Sequence, residues 1–292
     1  KKVDGFDKVE WLIINDGSQD NTTEVAKAHG VNHVVHFNKN KGLAEVFVAG
    51  LEACLSLGAD VIVNTDADNQ YQASYIEKLT KPILEGKADM VIGARPIHNI
   101  RHFSFIKKML QKFGSWVVRK FSKTTIPDAP SGFRAISREA ALKLNVFSSY
   151  TYTLETIIQA GRKNLSVLSI PIEVNEDLRP SRLVKNIFSY VKRSILTIFR
   201  IFVIYKPFRF FMSIGFILFL TGFALGGRFL FFYFSGKGDG HVQSLILASI
   251  LLGMGFQTML TAFLADLIAT NRKILEDVQY KIRKIESSKP HE

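Results

Sequence analysis

Asp60-Val61-Ile62-Val63-Asn64-Thr65-Asp66-Ala67-Asp68-Asn69-Gln70 is a short β-branched run that ends on two carboxylates one residue apart. Such a run, bounded by polar turn residues, reads as a buried strand. Working outward, Trp11–Ile14 and His33–Phe37 upstream and Met90–Gly93 downstream repeat the apolar pattern. Between these runs, helical periodicity covers residues 22–29, 43–57 and 73–84. Strand and helix in alternation predict βαβ units, hence an α/β, Rossmann-like architecture with a mainly parallel sheet. Sheets of that kind gather ligands at the carboxyl ends of their strands. Asn15-Asp16-Gly17-Ser18 and Asp66-Ala67-Asp68 both fall at such ends.

The chemistry of each cluster has two readings. Paired carboxylates in a turn can face one hard divalent cation, and magnesium takes one or two protein carboxylates together with phosphate oxygens and waters. Gln70 adds a neutral oxygen nearby. Loop aspartates also cap helices or face water, so the pair alone leaves both readings open. Asn15 to Asp20 is equally a turn with an N-cap, in which Ser18 or Asp20 satisfies orphan amides. Alternatively, its polar side chains meet a nucleobase edge while backbone amides meet ribose or phosphate.

The last third of the chain is written for a different solvent. Phe210–Gly227 runs 18 residues without a charge and Val242–Ala265 runs 24. Each is long enough to cross a hydrocarbon core as a helix, and the short Ser235–Gly240 turn between them predicts a hairpin. Lys185, Lys192, Arg193, Arg200, Lys206 and Arg209 precede the hairpin, and Arg272, Lys273, Lys281, Arg283 and Lys284 follow it. The positive-inside rule then places both termini in the cytoplasm. Leu183–Tyr205 interleaves Lys and Arg with apolar residues at helical spacing, as an interfacial amphipathic helix does. An ordinary basic helix packed on the soluble part gives the same pattern.

Composition agrees with this division. The 292 residues carry a net charge of +12, which calls for an anionic partner. Because the basic residues concentrate beside the apolar spans and no nucleic-acid motif is present, membrane and phosphorylated substrates are favoured over nucleic acid. The lone Cys54 excludes an intrachain disulfide framework and reads as a packed thiol. His29, His33, His36, His98 and His102 show no ligand-like pairing.

Taken together, Asn15-Asp16-Gly17-Ser18 with Asp20, Asn38 to Gly42, Asp66-Ala67-Asp68-Asn69-Gln70, Gly93-Ala94-Arg95, and Asp128-Ala129-Pro130-Ser131-Gly132-Phe133-Arg134 stand in the order seen in family 2 glycosyltransferases. The chain resembles most the dolichyl-phosphate mannose synthase and polyprenyl-phosphate glycosyltransferase branch, which often carries a C-terminal membrane hairpin. The resemblance covers nearly the whole chain. It implies the nucleotide-diphospho-sugar transferase fold of glycosyltransferase A type, followed by the amphipathic helix and two transmembrane helices. In that fold a first strand carries a Pro-x-x-Asn-Glu motif, which this sequence does not contain, so the first strand is expected to be missing. The expected parts are a catalytic domain over 1–178, a juxtamembrane segment over 179–207, a hairpin over 208–269 and a cytoplasmic basic tail over 270–292.

Residue by residue, the resemblance implies that Asn15, Asp16, Ser18, Lys41, Asp66 and Ala67 hold the nucleotide. Asp66, Asp68 and Gln70 would hold Mg²⁺ or Mn²⁺. Arg95 and Arg134 would approach phosphates, Lys107 or Lys108 would replace a lipid-phosphate arginine of relatives, and Arg182 would belong to a basic element before the hairpin. Asp128 would orient the acceptor or a sugar hydroxyl, or else pin the loop before Gly132. The implied activity is inverting transfer from a UDP- or GDP-sugar to undecaprenyl or dolichyl phosphate, with a membrane and a second copy of the chain as further partners. Asp66, Asp68, Asp128 and Arg134 are the implied catalytic set. A processive polysaccharide synthase is disfavoured, since neither Trp11 nor Trp116 lies in the Gln-x-x-Arg-Trp element usual there. A transferase acting on another membrane glycolipid and a noncatalytic membrane scaffold stay as alternatives.

Overall fold

The computed structural model describes residues 2–96, 116, 119, 122, 124–146, 152–175, 196, 199–200, 203–236 and 239–287. It divides into two units, Lys1–Ser194 with Glu276–Glu292, and Ile195–Leu275. In the first unit the elements run β1 (Leu12–Asn15), α1 (Thr22–Ala28), β2 (His33–His36), α2 (Leu43–Ser56), β3 (Val61–Asn64) and a 3₁₀ turn (Ala73–Tyr75) leading into α3 (Ile76–Leu84). There follow β4 (Met90–Ala94), β5 (Arg134–Ser137), α4 (Arg138–Lys143), α5 (Thr153–Arg162) and β6 (Val167–Pro171).

Strands β1 and β2 pair in parallel, as the βαβ pattern requires. The second sheet has the order β3-β5-β4-β6 and is mixed. Only β4 and β6 run parallel there; β5 is antiparallel to both β3 and β4. This corrects the expectation of a mainly parallel sheet. An antiparallel strand can be fed from a loop without a crossover helix, and β5 enters directly from the loop ending at Phe133. Its register places Arg134 opposite Asn64 on one side and Ile92 on the other.

Beneath this sheet Leu79, Val91, Phe133, Ala135 and Ile172 form a cluster with Tyr71 and Ala88. Burying one such Leu or Phe side chain contributes about 1.5–3 kcal/mol. Helix α4 starts cleanly because the Ser137 hydroxyl accepts from the Ala140 amide. The first unit also takes in the chain beyond the apolar spans. The Arg283 guanidinium donates to the Leu144 carbonyl at 2.8 Å and Asn145 Oδ1 at 2.9 Å, and Tyr280 donates to Glu139. The stretch read as a basic tail is therefore helical to Glu286 and fastened to the α4 corner.

The second unit contains α6 (Pro207–Phe234) and most of α7 (Val242–Glu286). Both are long and apolar enough to cross a membrane, and in the apolar windows only 11% and 17% of residues are buried. A soluble core helix would have most of that surface covered. Here Phe216, Ile217, Phe223, Phe256 and Phe263 face outward. The helices meet through small residues: a Cβ on Gly255 would lie 2.6 Å from the Phe219 nitrogen, and one on Gly222 would lie 2.8 Å from the Leu252 nitrogen. Close backbone approach through glycine is the packing mode available where surrounding lipid is as apolar as the helices. Of the expected amphipathic segment, Leu196, Phe199, Arg200 and 203–205 are helical; the rest lies outside the described residues.

Candidate active site

The carboxylates stand where β3 ends. Asp66 leaves the strand two residues after Asn64, and the turn closes through Asp68, whose Oδ1 accepts from the Gln70 amide at 3.0 Å. Asn69 takes a left-handed φ of 62°, which an Asn tolerates better than most residues. Asn175 fastens the turn from behind, donating its side-chain amide to the Asn69 carbonyl and its backbone amide to the Gln70 carbonyl, at 2.8 and 2.9 Å. Asp68 is exposed and Asp66 half-buried. Burial pushes the Asp66 carboxyl above the usual carboxylate range, the neighbouring Asp68 pushes it further, and Arg95 and Arg134 oppose the rise.

Asp66 rests on Gly132. A Cβ at Gly132 would lie 2.8 Å from Asp66 Oδ2 and 3.1 Å from the Tyr152 hydroxyl, so only glycine leaves room for the carboxylate. Asn64 Nδ2 donates to the Gly132 carbonyl at 2.7 Å and to the Tyr152 hydroxyl at 2.9 Å. The Gly132 amide in turn donates to the Tyr71 hydroxyl at 3.3 Å. Asn64, Tyr71 and Tyr152 thus support the Asp66 site, and the sequence reading identified none of them. Asn64 was readable from its place in the strand that carries the carboxylates. The tyrosines arrive from distant stretches without a motif.

Two of the expected phosphate-binding arginines are engaged elsewhere. Arg134 is fully buried, and its guanidinium donates to the carbonyls of Ser131 and Ala129, each at 2.8 Å, and to Thr156 Oγ1 at 2.6 Å. Burial lowers its pKa, as expected for a cation deprived of water. These hydrogen bonds hold the 129–134 loop. Arg95 Nε and Nη2 grip Asp128 at 2.7 and 3.1 Å, and the Arg95 amide donates to the same carboxylate at 3.1 Å. Although burial disfavours the Arg95 charge, the Asp128 hydrogen bonds raise its pKa overall. Asp128 is fully buried and ties Arg95 to the loop.

The turn after β1 divides similarly. Asn15 is buried; its Oδ1 accepts from the Ser18 amide and its Nδ2 donates to Thr23 Oγ1, both at 2.8 Å. Asn15 thus closes the turn from within. Asp16 accepts from the backbone amides of Lys41 at 2.7 Å and Gly42 at 3.1 Å, clasping the 38–42 loop against the first turn. Gly17, at φ 74°, permits that approach, since a Cβ would lie 2.7 Å from the Lys39 carbonyl carbon. Ser18 and Lys41 are exposed, the Lys41 amine 4.5 Å from the centre of the Phe37 ring. Exposed Ala67 lies between the two carboxylates.

Among the described residues no three His, Cys, Asp or Glu side chains cluster, so an all-protein metal cage is not offered there. Asp66 and Asp68 instead place two carboxylates close enough for one to disturb the other's ionisation, with Gln70 in the same turn. That suits Mg²⁺ or Mn²⁺ completed by phosphate oxygens and water.

The family model described as glycosyl transferase family 2 matches residues 3–144. An uncharacterised protein of Methanocaldococcus jannaschii is 31% identical over 178 residues, which cover 59% of this chain and 72% of that protein. The chain belongs to glycosyl transferase family 2. Also similar is the polyprenol monophosphomannose synthase of Mycolicibacterium smegmatis, 27% identical over 58% of this chain and 68% of its own. The UDP-N-acetylglucosamine–dolichyl-phosphate N-acetylglucosaminyltransferase of Methanococcus voltae is 29% identical over 56% and 73%. The fold is the glycosyltransferase A type: glucosyl-3-phosphoglycerate synthase from Mycobacterium tuberculosis superimposes with a TM-score of 0.52, at 19% identity over 65% of this chain and 68% of that one. Of the residues the family 2 resemblance implicates, Lys107, Lys108 and Arg182 lie outside the described residues.

Proposed function

We propose that this family 2 glycosyltransferase moves a sugar from a nucleotide diphosphate onto a polyprenyl phosphate at the membrane surface. The observation that carries the reading is an exposed carboxylate turn, anchored from behind, in a chain that also has two lipid-length helices with uncovered apolar faces. Two relatives are named for transfer to polyprenol or dolichyl phosphate. A soluble acceptor would not require such helices; a lipid acceptor presents its phosphate at the interface they define.

In the proposed reaction an acceptor phosphate oxygen attacks the anomeric carbon. The bond from that carbon to the donor's diphosphate breaks, the electron pair leaves with the nucleoside diphosphate, and the configuration inverts. The acceptor is already an anion at neutral pH, so no general base is needed. Asp66, Asp68 and Gln70 would hold Mg²⁺ or Mn²⁺, which neutralises charge on a leaving diphosphate. A solved structure of the M. tuberculosis synthase contains Mn²⁺ with UDP, in keeping with that donor set. The buried Arg134 and the Arg95–Asp128 pair act on the Asp66 neighbourhood through their field, and preorganised charge of this kind costs no reorganisation during the reaction. The exposed Ser18 and Lys41 are left to meet the nucleotide.

Both termini are assigned to the cytoplasm and Gly236–Gly240 to the far side, from the basic flanks of the hairpin. A cysteine placed at Gly238 is expected to react with an impermeant thiol reagent on intact cells, and labelling only after lysis would reverse the orientation. The principal test uses full-length protein in lipid with a panel of UDP- and GDP-sugars. Undecaprenyl phosphate, dolichyl phosphate and a water-soluble sugar are compared as acceptors. Formation of a polyprenyl-phosphate sugar is expected, and transfer to the soluble acceptor alone would overturn the proposal.

A further inference from the structure

We propose that the stretch of α7 beyond its apolar span pairs with the same stretch of a second copy of this chain. The two would form a parallel coiled coil along Asn271, Ile274, Val278, Ile282 and Ile285. The proposal requires the chain to be held in a membrane, but it does not depend on the identity of donor or acceptor.

Two faces of this stretch differ. Glu276, Tyr280 and Arg283 recur at i, i+4 and i+7 and so share one side of the helix. Each is engaged within the first unit: Glu276 pairs with Lys163 at 3.0 Å, Tyr280 donates to Glu139 at 2.9 Å, and Arg283 donates to the Leu144 carbonyl at 2.8 Å. Val278 and Ile282, two residues to either side of Tyr280, point about 160° away from it. Together with Ile274, Leu275 and Ile285 they are 46–68% exposed. An apolar stripe on a surface helix ordinarily faces a core, and a contiguous one left open marks an interaction site. Lipid does not reach this one. Helix α7 is continuous over 45 residues, ~67 Å at 1.5 Å per residue, against a hydrocarbon core of about 30 Å. Its apolar run ends at Ala265, so Val278 stands roughly 20 Å further along the axis.

The spacing favours a second copy as the cover. From Asn271 to Ile285 the seam advances 14 residues in four steps, a mean of 3.5. That is the period at which helices stay in contact as they supercoil. Asn271, exposed and helical, is the polar member of the seam. Against an apolar partner its amide would be stranded. Identical chains inserted with one orientation bring Asn271 to the same height, where two amides satisfy each other and fix register. At ~100 Å² of apolar surface per side chain, about half of it exposed, the five apolar residues offer roughly 300 Å² per copy. Stable soluble complexes bury about 800 Å² per partner. Two copies confined to one bilayer meet at high effective concentration, so a smaller contact suffices.

The test uses full-length protein in lipid vesicles, with Cys54→Ser removing the native thiol. Single cysteines at Asn271, Val278 or Ile285 are expected to give disulfide-linked dimers under mild oxidation. Cysteines at Lys273 or Gln279, exposed on other sides of the same helix, are expected to stay unlinked. Equal linkage at seam and control positions would show random collision and overturn the proposal. So would an adduct that is not twice the mass of the chain, which would put a different protein on the stripe. Seam cysteines that stay unlinked and protected from thiol reagents would assign the stripe to another segment of the same chain, and would overturn it too. Energy transfer between labelled chains then measures self-association. Ile274→Glu with Ile282→Glu alters only exposed side chains, so the melting temperature should hold while self-association weakens at least about tenfold. Asn271→Ile should tighten association and admit more than one oligomeric state, as loss of a polar seam residue does. Unchanged association in both variants would overturn the proposal. Each of these failures would leave the proposed sugar transfer standing, because that is read from the lipid product.

Discussion

The turn after β3 and the loop before β5 are both dense in charge, and they use it in opposite ways. At Asp66–Gln70 the carboxylates stand at or near the surface with the backbone fastened behind them, so acceptor capacity is left over for a ligand. At Asp128–Arg134 the charges lie in the interior, and the fold itself takes up their hydrogen bonds. The guanidinium of Arg134 meets only neutral oxygens among its hydrogen-bond partners, while that of Arg95 is gripped by Asp128. Charge in a motif is thus not equivalent to charge in a site. What separates the two is whether donors and acceptors remain unsatisfied once the chain has folded.

The sharpest way to break this distinction is Arg134→Met. If Arg134 contacted a substrate, the variant would fold and lose acceptor use selectively. If it holds the loop, the change strands the Ser131 and Ala129 carbonyls inside the protein. A loss of about 3–5 kcal/mol of stability is then expected, with donor binding and acceptor use falling together. Denaturant unfolding alongside nucleotide binding distinguishes the outcomes. A well-folded Arg134→Met defective only toward polyprenyl phosphate would return Arg134 to the site.

Asp68→Asn probes the opposite side. Asp68 is exposed and makes one local hydrogen bond, which an asparagine oxygen can also accept, so the melting temperature should hardly move. Turnover should fall by roughly 10²–10³, since loss of a cation ligand at a leaving diphosphate removes several kcal/mol of transition-state stabilisation. Near-normal turnover would remove Asp68 from the chemistry. Within the first turn, Asn15→Ala should cost about 1–3 kcal/mol of stability by leaving Thr23 and the Ser18 amide without their partner. Ser18→Ala should be neutral in stability and alter only the KM for donor. Equal melting temperatures for these two variants would show that Asn15 is not engaged as the structure shows.

How far the sequence could foretell this follows from where each partner sits in the chain. The carboxylate turn was legible as a turn after a strand because β3, Asp66, Asp68 and Gln70 lie within one decapeptide. The apolar spans were legible because their length and lack of charge are local properties. The burial of Arg134 was not legible, since it is decided by Thr156 and by register with Asn64 and Ile92, none of them adjacent in sequence. The same arginine hid β5, whose apolar content reduces to Ala135 and Ile136. Tyr152 reaches Asn64 across 88 residues, and neither its spacing nor its neighbours announce a role.

The smallest expected effect tests the boundary between the two regions, because Asp66 belongs partly to each. Its carboxyl titrates above the ordinary range, owing first to burial and then to Asp68. In the metal-free protein a raised folded-state pKa favours the native state below the unfolded pKa, about 3.9 for Asp. That advantage is lost as pH rises through the folded value. At neutral pH the ionised Asp66 therefore works against the fold. Asp66→Asn should raise the melting temperature in EDTA at pH 7.5. The gain should shrink as pH falls below the unfolded Asp pKa of about 3.9, where both states of wild type are increasingly protonated. Adding Mn²⁺ with UDP should reverse the order by stabilising wild type and not the variant. If Asp66→Asn is no more stable than wild type at pH 7.5, Asp66 carries no cost in the folded protein. It would then be a carboxylate satisfied by the fold, on the same footing as Asp128.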